Sequence, residues 1–368
     1  MKVVKVRSPF IIQINEATQL GSKIELFIWN SGSSIPTTPT YTLSKPIPTT
    51  NQRLTSYNVS NFVKEYIDNI APVYVSTIAQ ENVINWALFR VKRYWDNDGT
   101  YTLLDTIDYV GVNGFSNYMD GLQVATETRV MPLFNSEIKN NYQIKSTYPT
   151  GDTQYLNVFF DFQNVADQLD VVYSTIDGSS YDFTLSYDNL IGVLLFKIPI
   201  TLVKINGNFI NGCKVDITFT PQSGSVFNDD FYTYPICEPK YTPVLCDFIN
   251  RFGGWQTLTL YKAQTNSLSV KNEDYKLSPK EVNYNPLRGQ KRSFNFIGTQ
   301  NIKTNTGWID ENYNELITDL LLSEKVLIDN KPVILKTQGT ELKTRVKNRL
   351  INYELEFEFA YNLINDAI

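Results

Sequence analysis

The chain has 368 residues, 42% of them hydrophobic and 13% aromatic, enough for two or three ordinary cores. Thirty-three Lys and Arg against 38 Asp and Glu leave a formal charge of −5, which excludes the global basic field of a nucleic-acid binder. Histidine is absent, which also excludes Ser-His-Asp and Cys-His nucleophile systems, HExxH zinc sites and His-based proton shuttles.

Thirty-six asparagines stand against nine alanines, with 23 Tyr and 21 Phe. A chain this poor in the best helix former and this rich in aromatic residues favours strands joined by Asn-rich turns, so the expected class is mainly β. Near the start only Phe10–Ile12 form an apolar run, short of the roughly seven residues of a signal-peptide core. No segment approaches the ~18 apolar residues of a membrane span. The expectation is synthesis in a cytosol with no membrane contact. Cys213, Cys237 and Cys246 form no CxxC pair and read as buried reduced thiols, with a three-thiolate metal site as the remote alternative.

Three segments follow in chain order. Residues 1–128 read as a β-sandwich with one short helix. Lys23–Trp29 is strand-like, and Ser31–Thr40 is a Ser/Gly/Pro/Thr-rich loop. In the helix Ser60 is the expected N-cap, Val63, Tyr66, Ile67 and Ile70 form the apolar stripe, and Pro72 is the stop. Asn85–Trp95 points Ala87, Phe89 and Val91 inward and Arg90 and Lys92 outward, and Asp98-Gly99 turns it back into Tyr101–Tyr109. Residues 129–235 read as a second β-sandwich, with strands at Tyr155–Phe162, Leu169–Tyr173, Tyr181–Tyr187, Ile191–Ile200 and Lys214–Thr220.

Residues 236–368 read as an α+β domain. Strands around Trp255–Lys262 and Arg292–Gln300 precede a helix capped by Asp310 with an apolar stripe of Tyr313, Leu316, Ile317, Leu320 and Leu321. Val326–Ile328 and a turn at Asp329–Pro332 come next. In the last run Tyr353, Leu355, Phe357, Phe359 and Tyr361 share one face, with Glu354, Glu356 and Glu358 on the other. The preceding alternation of Leu342–Lys347 pairs with it through a loop at Asn348–Ile351, setting Arg345 opposite Glu354 and Lys343 opposite Glu356. These five charged residues are the expected assembly interface.

The residues offer little chemistry. The acidic pairs Asp96/Asp98, Asp229/Asp230 and Asp310/Glu311 read as turns or caps before they read as a glycosidase pair. Asp96–Gly99 has the centre of an EF-hand loop but Tyr94 and Asp105 at its ends, so a hairpin turn explains it better. Arg288, Lys291 and Arg292 fit a solvated hairpin tip, with contact to an acidic neighbour or passing DNA as the minority reading. The five tryptophans could stack on sugars if exposed, but core packing is the default. No catalytic, metal or cofactor residues are expected.

The run Cys237–Lys262, with Lys240-Tyr-Thr-Pro-Val244 and Phe248-Ile-Asn-Arg-Phe-Gly-Gly-Trp-Gln256, resembles a pattern in virion proteins of tailed phages that infect Bacteroidetes. Thr306–Glu315, Leu320–Glu324 and Leu350–Phe359 are similar to the same group, and Asn15–Gln19 with Lys23–Asn30 fits it more loosely. The resemblance is strongest over the last third and weak in the middle. It implies a non-enzymatic tail or baseplate component whose last domain is tail-tube-like or distal-tail-like. It further implies a virion protein made in the host cytoplasm, forming a six-fold or three-fold homo-oligomeric ring and joined to other tail, baseplate or fibre proteins. Nucleic acid would be met only in passage through a tail channel. The competing readings are a carbohydrate-binding adhesin or receptor-binding module, and a glycan-degrading virion enzyme.

Overall fold

The computed structural model describes residues 1–48, 53–71, 78–135, 140–144, 155–176, 182–200, 212–236, 240–278, 280, 282–337, 339 and 350–364. The protein is mainly β, with 53% strand and 8% helix in several antiparallel sheets. It divides into two compact units, one formed by Met1–Glu238 with Phe248–Thr257, the other by Pro239–Asp247 with Leu258–Ile368. Among the described residues no helix is long and apolar enough to cross a membrane.

The first unit holds two sheet systems on either side of the boundary expected at 128/129, and Trp86, Val110 and Val112 of the first share a buried cluster with Leu133, Phe159 and Leu195 of the second. In the first, a five-stranded sheet runs in the order Val3–Lys5, Thr100–Val112, Trp86–Asn97, Gly21–Trp29, Tyr41–Pro46. Its central hairpin turns through Asp98 and Gly99, both at positive φ (53° and 83°), the geometry of a primed two-residue turn. Ala87, Phe89 and Val91 are buried with Ile24, Leu26 and Ile28, and the two-stranded sheet Ile11–Ile14 with Thr55–Asn58 closes over them.

The helix in this region is a single turn, Ser60–Lys64, and Ser60 is not its cap. The Ser60 hydroxyl instead accepts from Phe10 N–H (2.7 Å) and donates to Ser8 C=O (2.7 Å), a better use for a buried hydroxyl beside an incoming strand. Val63 and Ile67 are buried, but Asn69 turns left-handed (φ 47°) and leaves Ile70 exposed.

The second system packs two sheets face to face. One has the order Asn140–Ile144, Phe227–Ile236, Cys213–Thr220, Gln168–Thr175, Asp182–Tyr187. The other has the order Ala79–Gln80, Gly192–Pro199, Tyr155–Phe162, Val130–Pro132. The expected strands are present, and Phe160, Phe162, Phe196, Phe219, Val171, Tyr173 and Ile217 fill the interior. Residues 78–81, on the first-segment side of the expected boundary, complete this sandwich: Ile78 enters its core and Ala79–Gln80 pair with Phe196–Lys197.

A seven-stranded sheet, most of it in the second unit, has the order Trp255–Leu260, Val244–Ile249, Val326–Ile328, Lys331–Leu335, Glu354–Phe359, Lys291–Asn305, Thr265–Lys276. The helix is Asn314–Leu321, and it buries Leu316, Ile317 and Leu320. Asp310 does not cap it: Ile309–Asp310 pair with Leu350–Ile351, and a 3-10 turn at Glu311–Tyr313 intervenes. Leu350 and Ile351 are therefore ladder residues, not the loop expected at Asn348–Ile351.

Candidate assembly surface

The outer two strands of the seven-stranded sheet form an arm. Among the described residues Thr265–Lys276 pairs only with Lys291–Asn305, and all twelve of its residues are exposed. A strand can be exposed on both faces only where no layer covers it, so side chains that elsewhere form cores stand in solvent here. Leu268 is 60% exposed and Val270 52%, and at the tip Val282 and Leu287 are almost fully exposed. Past an irregularity between Lys271 and Glu273, where Asn295 adopts φ 52°, Tyr275 and Phe294 meet edge to face at 5.5 Å. A concentration of exposed aliphatic and aromatic groups on one projecting element is the ordinary mark of a protein contact.

Arg288, Lys291 and Arg292 come together at the tip of this arm. Arg288 ends a 3-10 turn, Pro286–Arg288, capped by the Asn285 side chain on Leu287 N–H (2.9 Å). Lys291 stands directly opposite Lys276 and Arg292 opposite Tyr275. Like charges directly opposite each other destabilise a ladder, and neither Lys276 nor Lys291 has an ion-pair partner among the described residues. Elsewhere the protein pairs opposite charges: Arg90 faces Asp108 through two bonds of 2.6 and 2.8 Å, and Arg93 faces Asp105.

The other expected interface residues divide. Lys343 and Arg345 lie outside the described residues. Glu354, Glu356 and Glu358 lie on one face of Glu354–Phe359, opposite the buried Leu355, Phe357 and Phe359. Their charge partners are local, Lys303 on Glu354 at 2.8 Å and Lys336 on Glu358 at 2.9 Å. At Glu356 both flanks of the strand are taken: Lys303 lies opposite on one side, and Lys336 N–H (2.8 Å) and the Thr337 hydroxyl (2.9 Å) bond its backbone on the other. The arm strand Thr265–Lys276 was not among the expected strands, although Leu268-Ser-Val270 carries a faint alternation.

Asp96 accepts from Gly99 N–H (2.9 Å) within the hairpin turn. Cys213 and Cys246 are buried and free, burial pushing the Cys213 thiol up to about 12 and Cys246 well above its ordinary value; Cys237 lies outside the described residues. Trp86 and Trp255 are core residues, whereas Trp308 is 53% exposed.

The Phe248–Gln256 motif is a backbone junction inside the first unit. Asn250 Oδ1 accepts from Phe252 N–H (2.9 Å) and Gly254 N–H (3.2 Å), and Nδ2 donates to Leu133 C=O (2.8 Å). Arg251 C=O accepts from Phe115 N–H at 2.8 Å. A Cβ on Gly254 would lie 2.5 Å from Leu133 O, and one on Gly114 would lie 2.6 Å from Arg251 O, so both positions require glycine. No family model matches the chain, and no curated protein sequence matches it.

Proposed function

We propose that this chain is a non-enzymatic structural component of a bacteriophage tail or baseplate. It would assemble into a ring and connect the tail to peripheral fibres or baseplate proteins. The observation that carries the reading is the arm: a two-stranded element with exposed Leu268, Val270, Val282 and Leu287 serves contact with protein, not turnover of a small molecule. The motifs at Phe248–Gln256 and Thr306–Glu315 support the virion assignment through resemblance. In this reading the protein is made in the host cytoplasm and resides in the virion. Electron micrographs of the purified chain test it: six-fold or three-fold rings support it, and a monomer at every concentration overturns it.

One observation favours a second reading. Trp308 presents an exposed indole, as a carbohydrate-binding or receptor-binding module would. Retention on host polysaccharide that Trp308→Ala abolishes would favour that module.

A further inference from the structure

The arm carries seven Lys or Arg against three Asp or Glu between residues 265 and 305, a net +4 in a chain of −5, so the remainder carries −9. Residues 129–235 hold 11 acidic and six basic side chains, a net −5. The outer face of their five-stranded sheet concentrates that charge. Asp216 stands directly opposite Asp230, and by the alternation of the ladder Asp170 shares their face. Lys214 reaches Asp216 at 2.6 Å, the Tyr232 hydroxyl bonds Asp230, and the Ser186 hydroxyl donates to Asp170 at 2.6 Å. Among the described residues like charges face each other across a ladder at two places, cationic at Lys276/Lys291 and anionic at Asp216/Asp230. Each is an unfavourable pair that a surface of opposite sign would relieve.

We propose that the arm docks on a second copy of this chain, with the Lys276/Lys291 pair set against the acidic Asp170/Asp216/Asp230 face. This deepens the assembly reading above and rests on it. Two features select a copy of the chain over a nucleic acid. The exposed groups at the arm's root and tip include aliphatic Leu268, Val270 and Leu287, which suit a protein surface better than bases. The −9 remainder repels a polyanion and attracts a +4 arm. The contact is heterologous, arm into sheet, so successive copies add in one rotational sense and close as a ring or continue as a filament.

A charge-swap cycle on the full chain tests this. Sedimentation velocity at low salt should show wild-type self-association that weakens as salt rises. The variant K276E/K291E should lose at least tenfold in association, D216K/D230K likewise, and an equimolar mixture of the two should recover association. Circular dichroism checks that each variant is folded, and the arm variant stands alone if the sheet variant is not. Association of K276E/K291E equal to wild type overturns the arm contact and leaves the ring reading intact. A wild-type chain that stays monomeric overturns both. Duplex DNA bound by wild type and released by K276E/K291E, with no self-association, overturns the proposal in favour of a nucleic-acid partner.

Discussion

Single residues in this protein hold backbone segments together. Asp167 is fully buried, and its carboxylate accepts from the N–H groups of Gln163 (2.8 Å), Asn164 (3.0 Å) and Gln222 (2.8 Å) and pairs with Arg129 at 2.5 Å. Burial alone would raise its pKa, but these donors outweigh burial and hold it below the usual range. The depressed value means the stabilisation is complete above the carboxylate range of the unfolded chain and is lost as pH falls through the folded value. Asp167→Asn should therefore cost about 2–3 kcal/mol in urea unfolding at neutral pH, with the gap to wild type narrowing in acid. A constant gap would contradict the assignment. Tyr94 works in the opposite pH region: burial first, then its hydrogen bond to Glu25 (2.8 Å), pushes the phenol up to about 12 from 10.0. Its contribution is intact below pH 10 and disappears between pH 10 and 12, so Tyr94→Phe should flatten that part of the alkaline stability profile. Gly254→Ala, which places a methyl against Leu133 O, should destabilise the first unit by roughly 1–3 kcal/mol; an unchanged melting curve would show that the turn can shift.

At the scale of elements, the short segment Ile78–Asn85 is a clip. Its Glu81 lies beside Lys197 (3.1 Å), both nearly inaccessible, and the same carboxylate accepts from Asn85 (3.3 Å) and Asn157 (3.2 Å). Removing one partner of a buried pair strands the other, so Glu81→Ala should cost about 3–5 kcal/mol, whereas surface Asp108→Ala on the Arg90 pair should cost at most about 1 kcal/mol. Chemical denaturation of the two variants separates the cases. The arm should be the least protected strand pair in hydrogen exchange, its amides exchanging before those of Glu354–Phe359, which is bonded on both sides. Equal protection would mean that the arm is covered in solution.

Legibility in the sequence follows the same physics. The 86–112 hairpin was readable because Asp98-Gly99 and the alternation of Ala87, Phe89 and Val91 are local signals. The strands of the second sandwich are readable because short aromatic and branched runs such as Tyr155–Phe162 recur at regular intervals between turn signals. Val3–Lys5 and Asn140–Ile144 were not, because each joins its sheet by parallel pairing with a strand roughly a hundred residues away. Thr265–Lys276 is not legible because a strand with no covered face needs no hydrophobic alternation. That same absence makes it the candidate contact. Ser60 and Asp310 carried sound local capping signals, overruled by a buried hydrogen-bond pair in one case and by strand pairing in the other.

For the molecule as a whole, two of the three thiols lie in packed interiors, so native protein should expose at most one to a thiol reagent and all three only on unfolding. Release of a second thiol under native conditions would show that one core opens readily. The chain leaves the first unit after Glu238, contributes Pro239–Asp247 to the second, and returns with Phe248–Thr257 to lodge Asn250 against Leu133. During synthesis the first unit thus cannot close when its last sandwich strand emerges; it waits for some twenty more residues, part of which already belong to its neighbour. Neither unit is a continuous stretch of chain, so a fragment cut at 235 would lack the plug that joins Gly114 to Leu133. One cut after Thr257 would carry it, together with a loose strand whose partners have not yet been made.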